Sequence, residues 1–205
     1  GSVYLEFGRL TLPTPTCGIN ADGKGYRGAP TGVKGYGPGG GASANAGAGY
    51  GGVGGNAGGG VTYGSSNAPA DPGSCGGGQA GDVGRAGGGL VWLSVGGNVT
   101  LNGTITANGG TDGTTGGGSG GGIYIRCKRF TGTGSISANG SNAGPNATVV
   151  GGGGGGRIAI WRVYDAFLGT TNVLPGTSKG GASAPTDGTI FLGQLRDAGT
   201  LFIVH

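Results

Sequence analysis

The sequence predicts an all-β fold: a repetitive β-solenoid or stacked-strand sheet, with glycine-rich, polyproline-II-like segments packed alongside and essentially no helix. Three observations predict it. Short apolar clusters recur at a near-fixed spacing. Apolar and polar residues alternate within them. The chain between them is dominated by glycine, 60 of 205 residues, about four times the ~7% of ordinary chains.

The clusters Val3-Tyr4-Leu5, Val91-Trp92-Leu93, Ile123-Tyr124-Ile125, Ile158-Ala159-Ile160 and Ile190-Phe191-Leu192 read as one strand repeated. The last four begin at 91, 123, 158 and 190, at intervals of 32, 35 and 32 residues. A period of that kind marks stacked repeats. The first interval is 88 residues because a glycine-rich insertion of about 23–89 interrupts it. Strand repeats then occupy about 90–205, and the whole reads as a single domain.

A second element follows each strand. Residues 18–23, 104–109 and 135–140 align, each with a β-branched residue between small polar ones and then Asp-Gly or Asn-Gly. Those dipeptides favour positive φ and predict tight turns. Alternation supports strands: Val99 and Leu101 share one face against Asn98, Thr100 and Asn102. Likewise Ile123, Ile125 and Cys127 oppose Tyr124, Arg126 and Lys128. No glycine-free stretch has helical spacing. The tracts at 35–60 and 151–156 lack Gly-X-Y triplets, which excludes collagen. A disordered linker is one reading of such composition. Extended glycine strands bonded side by side are the reading adopted, because the tracts recur in register with the strands.

Composition narrows the function. Only 10% of residues are charged and the formal net charge is +4, with Arg126, Lys128 and Arg129 the densest cluster. A nucleic-acid binder shows a basic stripe with interleaved aromatics, so a mildly basic surface and no nucleic-acid partner are expected. No apolar run reaches the ~20 residues of a membrane span. The chain has no methionine, which suggests a processed chain or a segment of a longer one. Cys17, Cys75 and Cys127 are too widely spaced for zinc. They predict one disulfide and one buried thiol, or a cysteine that joins subunits.

The phrases at 120–125, 132–140 and 151–160 resemble a glycine-rich module of large secreted and cell-surface proteins of bacteria and microbial eukaryotes. That module runs glycines, a strand, a G-x-G-x-I-S-A-N-G-G turn, more glycines and R-I-A-I. The resemblance implies a surface or matrix location and brings no catalytic residue with it.

Chemistry is sparse. The single histidine is His205, which leaves no positioned imidazole for a triad. Most acidic residues sit beside glycine or proline, where aspartate serves turns. No glycine cluster is followed by the Lys-Ser/Thr of a phosphate loop. A non-enzyme without a cofactor or metal is therefore expected. Asn98, Asn102, Asn139 and Asn146 begin Asn-X-Ser/Thr sequons and are candidate glycosylation sites. Tyr4, Trp92, Tyr124 and Phe191 share the second position of their strands. They are expected to stack, as core packing or as an exposed strip for sugars.

Both ends of the chain are apolar and strand-like: Val3, Tyr4, Leu5 and Phe7 at the start, and Leu201, Phe202, Ile203 and Val204 at the finish. Pairing of one subunit's end with the next one's start is a heterologous contact and generates a filament. The sequence thus predicts a structural subunit of an extracellular, glycosylated filament or coat. Its partners are copies of itself and glycans. The alternatives are an internal module of a large adhesin, or a polysaccharide- or ice-binding module suited by Thr104-Ile105-Thr106 above Ser135-Ile136-Ser137.

Overall fold

The computed structural model describes residues 1–28, 34–79 and 81–197. Among these the elements are strands alone: β1 (Ser2–Phe7), β2 (Leu10–Leu12), β3 (Gly18–Asn20), β4 (Leu90–Val95), β5 (Asn98–Leu101) and β6 (Thr104–Thr106), then β7 (Gly122–Gly132), β8 (Ser135–Ser137), β9 (Arg157–Phe167), β10 (Thr170–Asn172) and β11 (Thr189–Gln194). Every pairing between them is parallel. The result is a parallel β-solenoid of about three turns.

Each rung has three faces. On the first, β1, β4, the start of β7, the start of β9 and β11 lie side by side. On the second, β2 and β5 lie against the later parts of β7 and β9. The third is the separate sheet β3, β6, β8, β10. The register follows the sequence period: Val91 lies beside Ile123, Ile123 beside Ile158 and Ile158 beside Ile190. Val3 lies directly beside Val91, so the insertion leaves the stack without breaking it.

Stacking like over like builds the core. Alternate side chains of a strand point to one face, so Val91, Leu93 and Val95, with Ile123, Ile125 and Cys127 above them, point inward and are buried. Val99, Leu101 and Phe130 close the second wall, and Ile105 and Ile136 the third. The third face has a fourth member at Thr170–Asn172, where Thr171 replaces isoleucine and obscures the repeat.

The expected turns need correction. Gly23 has φ of 63°, but Gly109 and Gly140 are not among the positive-φ residues. At those corners the glycines do not take the left-handed conformation, and the asparagines bond across rungs. The Oδ1 of Asp22 accepts the Asn108 amide at 2.7 Å, Asn108 Oδ1 that of Asn139 at 2.8 Å, and Asn139 Oδ1 that of Leu174 at 2.8 Å.

The glycine tracts are ordered. From 151 to 156 the amide donors repeat every third residue. Gly151 and Gly154 donate to the carbonyls of Asn45 and Ala48, and Gly153 and Gly156 to those of Ser141 and Ala138. Gly152 reaches the Ser178 hydroxyl and Gly155 the Thr186 carbonyl. The carbonyls follow the same beat: Gly151 and Gly154 accept from Gly117 and Gly120, and Gly152 and Gly155 from Gly55 and Gly52. Three residues per turn is the polyproline-II period, which leaves all backbone groups free for neighbours. Segments 46–55, 73–77, 84–89, 116–121 and 151–156 thus form a lattice bonded through main chain in several directions. The insertion therefore supplies strands of this bundle, and the tracts between solenoid rungs supply the rest.

Candidate assembly surfaces

The functional candidate of this fold is the pair of ends of its solenoid. Interior rungs are covered above and below. β1 pairs only with β4, and β11 only with β9, so among the described residues each leaves one edge of backbone donors and acceptors open. An open strand edge is a template for another strand.

At the starting end, Leu5, Phe7, Leu10, Leu12 and Ile19 pack on the core from one side while remaining partly exposed, and Val3 is 37% exposed. At the finishing end, Ile190 and Leu192 occupy the columns of the buried Ile158 and Ile160. With no rung beyond them among the described residues, they are 43% and 56% exposed. A cleft of about 350 Å³ opens there among Phe130, Ile160, Phe167, Thr171, Ile190 and Leu192. Both ends are the hydrophobic core cut across. Exposed apolar patches of this kind mark interaction sites.

The aromatic column is in register as expected: Tyr4, Trp92, Tyr124, Ala159 and Phe191 stand side by side. It lies on the outer face and is not core. Tyr4 is 61% exposed. Trp92 and Tyr124 stack at 3.9 Å between ring centroids, and Tyr4 leans on Trp92 at 6.0 Å. Beyond Tyr124 the insertion lies across the sheet. Trp161 Nε1 donates to the Asn67 carbonyl at 2.8 Å, and Arg157 Nε to the Tyr63 carbonyl at 2.8 Å.

Arg157 was not singled out from the sequence. Its guanidinium is buried over the Tyr50 ring, 5.5 Å from the centroid, and also donates to the Thr189 hydroxyl at 3.0 Å. It fastens the insertion to the solenoid. A signal existed: its register partners are Gly122 and Thr189, so it is the one charge in that column.

The sequons divide by environment. Asn98 and Asn102 are half-buried and flank the polar face of β5, opposite Val99 and Leu101. Asn102 Oδ1 accepts the Thr133 amide at 3.2 Å. Asn139 belongs to the cross-rung ladder. Asn146 is exposed and donates from Nδ2 to Asp82 at 2.8 Å.

The three cysteines are free thiols rather than the one disulfide expected. Each belongs to a different part of the fold. Cys17 is half-exposed beside Thr14 on the first rung. Cys75 lies in the glycine bundle, donating to the Gly76 and Gly84 carbonyls, and Cys127 lies in the solenoid core. Burial pushes both thiols up to about 12, because a thiolate there would lose its hydration.

Of the basic cluster, Arg126, Lys128 and Arg129 are exposed, with Lys128 3.9 Å from Asp197 and Arg129 over the Tyr164 ring. The threonine and serine rows stack in register on the third face. They are half-buried, and Thr106 Oγ1 is shielded without a partner. Among the described residues no group of three His, Cys, Asp or Glu could hold a metal ion, and no helix is long and apolar enough to cross a membrane. Leu201, Phe202, Ile203, Val204 and His205 lie outside the described residues. Comparison with family models, curated proteins and solved structures gave no match.

Proposed function

We propose that the chain is a structural subunit of an extracellular, glycosylated filament or surface coat that assembles head-to-tail through the two ends of its solenoid. The observation that carries this reading is the core left open at both ends of the described residues, Val3 and Leu5 on one, Ile190 and Leu192 on the other. A chain that stays alone leaves those side chains in water at a cost of about 25 cal/mol per Å² of apolar surface. The two ends differ in sequence but share one register, which suits a heterologous, non-closing contact. Glycans at Asn98 or Asn102 would lie on the flank of the stack and leave its ends clear. The resemblance to secreted glycine-rich modules supports the location. An internal module of a larger adhesin is the second reading, since neighbouring domains could cover the same ends.

The test is a charge placed at one end. The wild-type protein should form filaments visible by electron microscopy, whereas Leu192→Asp should remain monomeric with an unchanged circular dichroism spectrum. Filaments from Leu192→Asp, or monomers from the wild type, would contradict the reading.

A further inference from the structure

We infer that the joint between subunits is a further rung of the solenoid. β11 of one subunit pairs in parallel with β1 of the next, placing Thr189 beside Ser2, Ile190 beside Val3, Phe191 beside Tyr4 and Leu192 beside Leu5. This inference rests on the head-to-tail reading and specifies its contact.

The register comes from the molecule's own repetition. Ser2 lies beside Leu90, Leu90 beside Gly122, Gly122 beside Arg157 and Arg157 beside Thr189. Ser2 and Thr189 therefore hold equivalent places at opposite ends, and so do the residues that follow. The inward columns agree. Val3, Val91, Ile123, Ile158 and Ile190 form one, and Leu5, Leu93, Ile125, Ile160 and Leu192 the next. Both columns are aliphatic throughout, and their interior members are buried while Val3, Ile190 and Leu192 are exposed and Leu5 is half-buried.

Other registers are worse for stated reasons. A slip of one residue turns the side chains to the opposite face, which sets Leu192 against the outward-facing Tyr4 or Glu6. A slip of two leaves Val3 or Leu5 without an aliphatic neighbour. The outer face favours the same choice. Phe191, packed on Trp161 at 5.1 Å, would meet the exposed Tyr4 and carry the aromatic column through the joint, and such pairs add about 0.5–1.5 kcal/mol beyond the area they bury. β1 and β11 are also equal in length, six residues each. The partner is thus a second copy of this chain, in the same orientation.

Cysteine cross-linking tests the register on the full chain, with Cys17→Ser removing the half-exposed thiol of the first rung. Residues directly beside each other on neighbouring strands are about 4.8 Å apart, within disulfide reach, and a two-residue offset is about 8 Å, beyond it. Tyr4→Cys with Phe191→Cys should give, on oxidation, a ladder of covalent multimers on a denaturing gel. Ser2→Cys with Phe191→Cys should give at least tenfold less. Val3→Cys with Ile190→Cys repeats the in-register test should the outer pair disturb folding. Filaments that form with no in-register cross-link, or with equal cross-linking of the offset pair, would overturn the register and leave end-to-end assembly standing. A folded protein that yields neither filaments nor cross-links would overturn the assembly reading itself. A covalent dimer that grows no further would do the same, since it reports a closed two-fold pair.

Discussion

A methyl group on Gly153 would occupy the place of the Gly118 carbonyl, and one on Gly151 that of the Gly55 carbonyl. The neighbour in each case is main chain, which cannot move aside without breaking lattice bonds. Overpacking a tight interior costs about 1–3 kcal/mol, and at this chain length each kcal/mol shifts the melting temperature by ~2–4 °C. Gly153→Ala should therefore lower the melting temperature by about 5 °C or more. Gly8→Ala, with nothing within 4 Å of its Cβ, should leave it within ~1 °C. Equal effects from the two would show that the bundle is not closely packed. These glycine roles were half legible in the sequence. That the tracts are ordered follows from their recurrence with the strands. Which segments touch does not, because Gly151 and Asn45 meet only once the topology is known. The Asn-Gly corners misled for a related reason. Local preference points to a turn, but Asn108 and Asn139 have neighbouring rungs to bond, and the ladder prevails.

At the scale of elements, two structures of different period are joined through shared backbone. The strands of the solenoid bury alternate side chains, whereas the glycine segments bury mostly main chain, with Tyr50, Cys75 and a few small side chains among it. Arg157 stands where one becomes the other. Each half carries its own reporter thiol, Cys75 in the bundle and Cys127 in the core, both pushed up to about 12 by burial. A thiol that folding holds protonated contributes stability that is complete below its ordinary value near 9 and is lost as pH rises through the folded value. Burial raises Tyr50 and the half-buried Tyr63 in the same direction. The melting temperature should therefore hold steady from pH 6 to 8 and fall above about pH 9. In the native protein at pH 8 Cys75 and Cys127 should resist a thiol reagent. Both should become reactive together in denaturant if bundle and solenoid unfold as one unit. Labelling of Cys75 well before Cys127 would show instead that the bundle opens independently. The period of the first-face strands was plain in the sequence. The second face was harder to see, since β7 and β9 run around a corner without any break in sequence.

At the scale of the whole molecule, the described residues form a stack whose first and last strands each leave an edge open. Most proteins with stacked repeats cover their end rungs with polar caps. Here the end rungs carry the same aliphatic columns as the interior, and the sequence had shown the starting one in Val3 to Phe7. The finishing surface was legible only in part. Ile190 and Leu192 read as one more repeat, and nothing in their spacing says that they are exposed. The central claim is that subunits add rung upon rung, and helical reconstruction of native filaments by cryo-electron microscopy tests it most directly. Among the described residues five strands lie on the first face of each subunit, β1, β4, β7, β9 and β11, and neighbouring strands are about 4.7–4.9 Å apart. The account predicts an axial rise of about 24 Å per subunit, with strand density continuing unbroken across the joint. A markedly larger rise, with a gap in strand density between subunits, would contradict it.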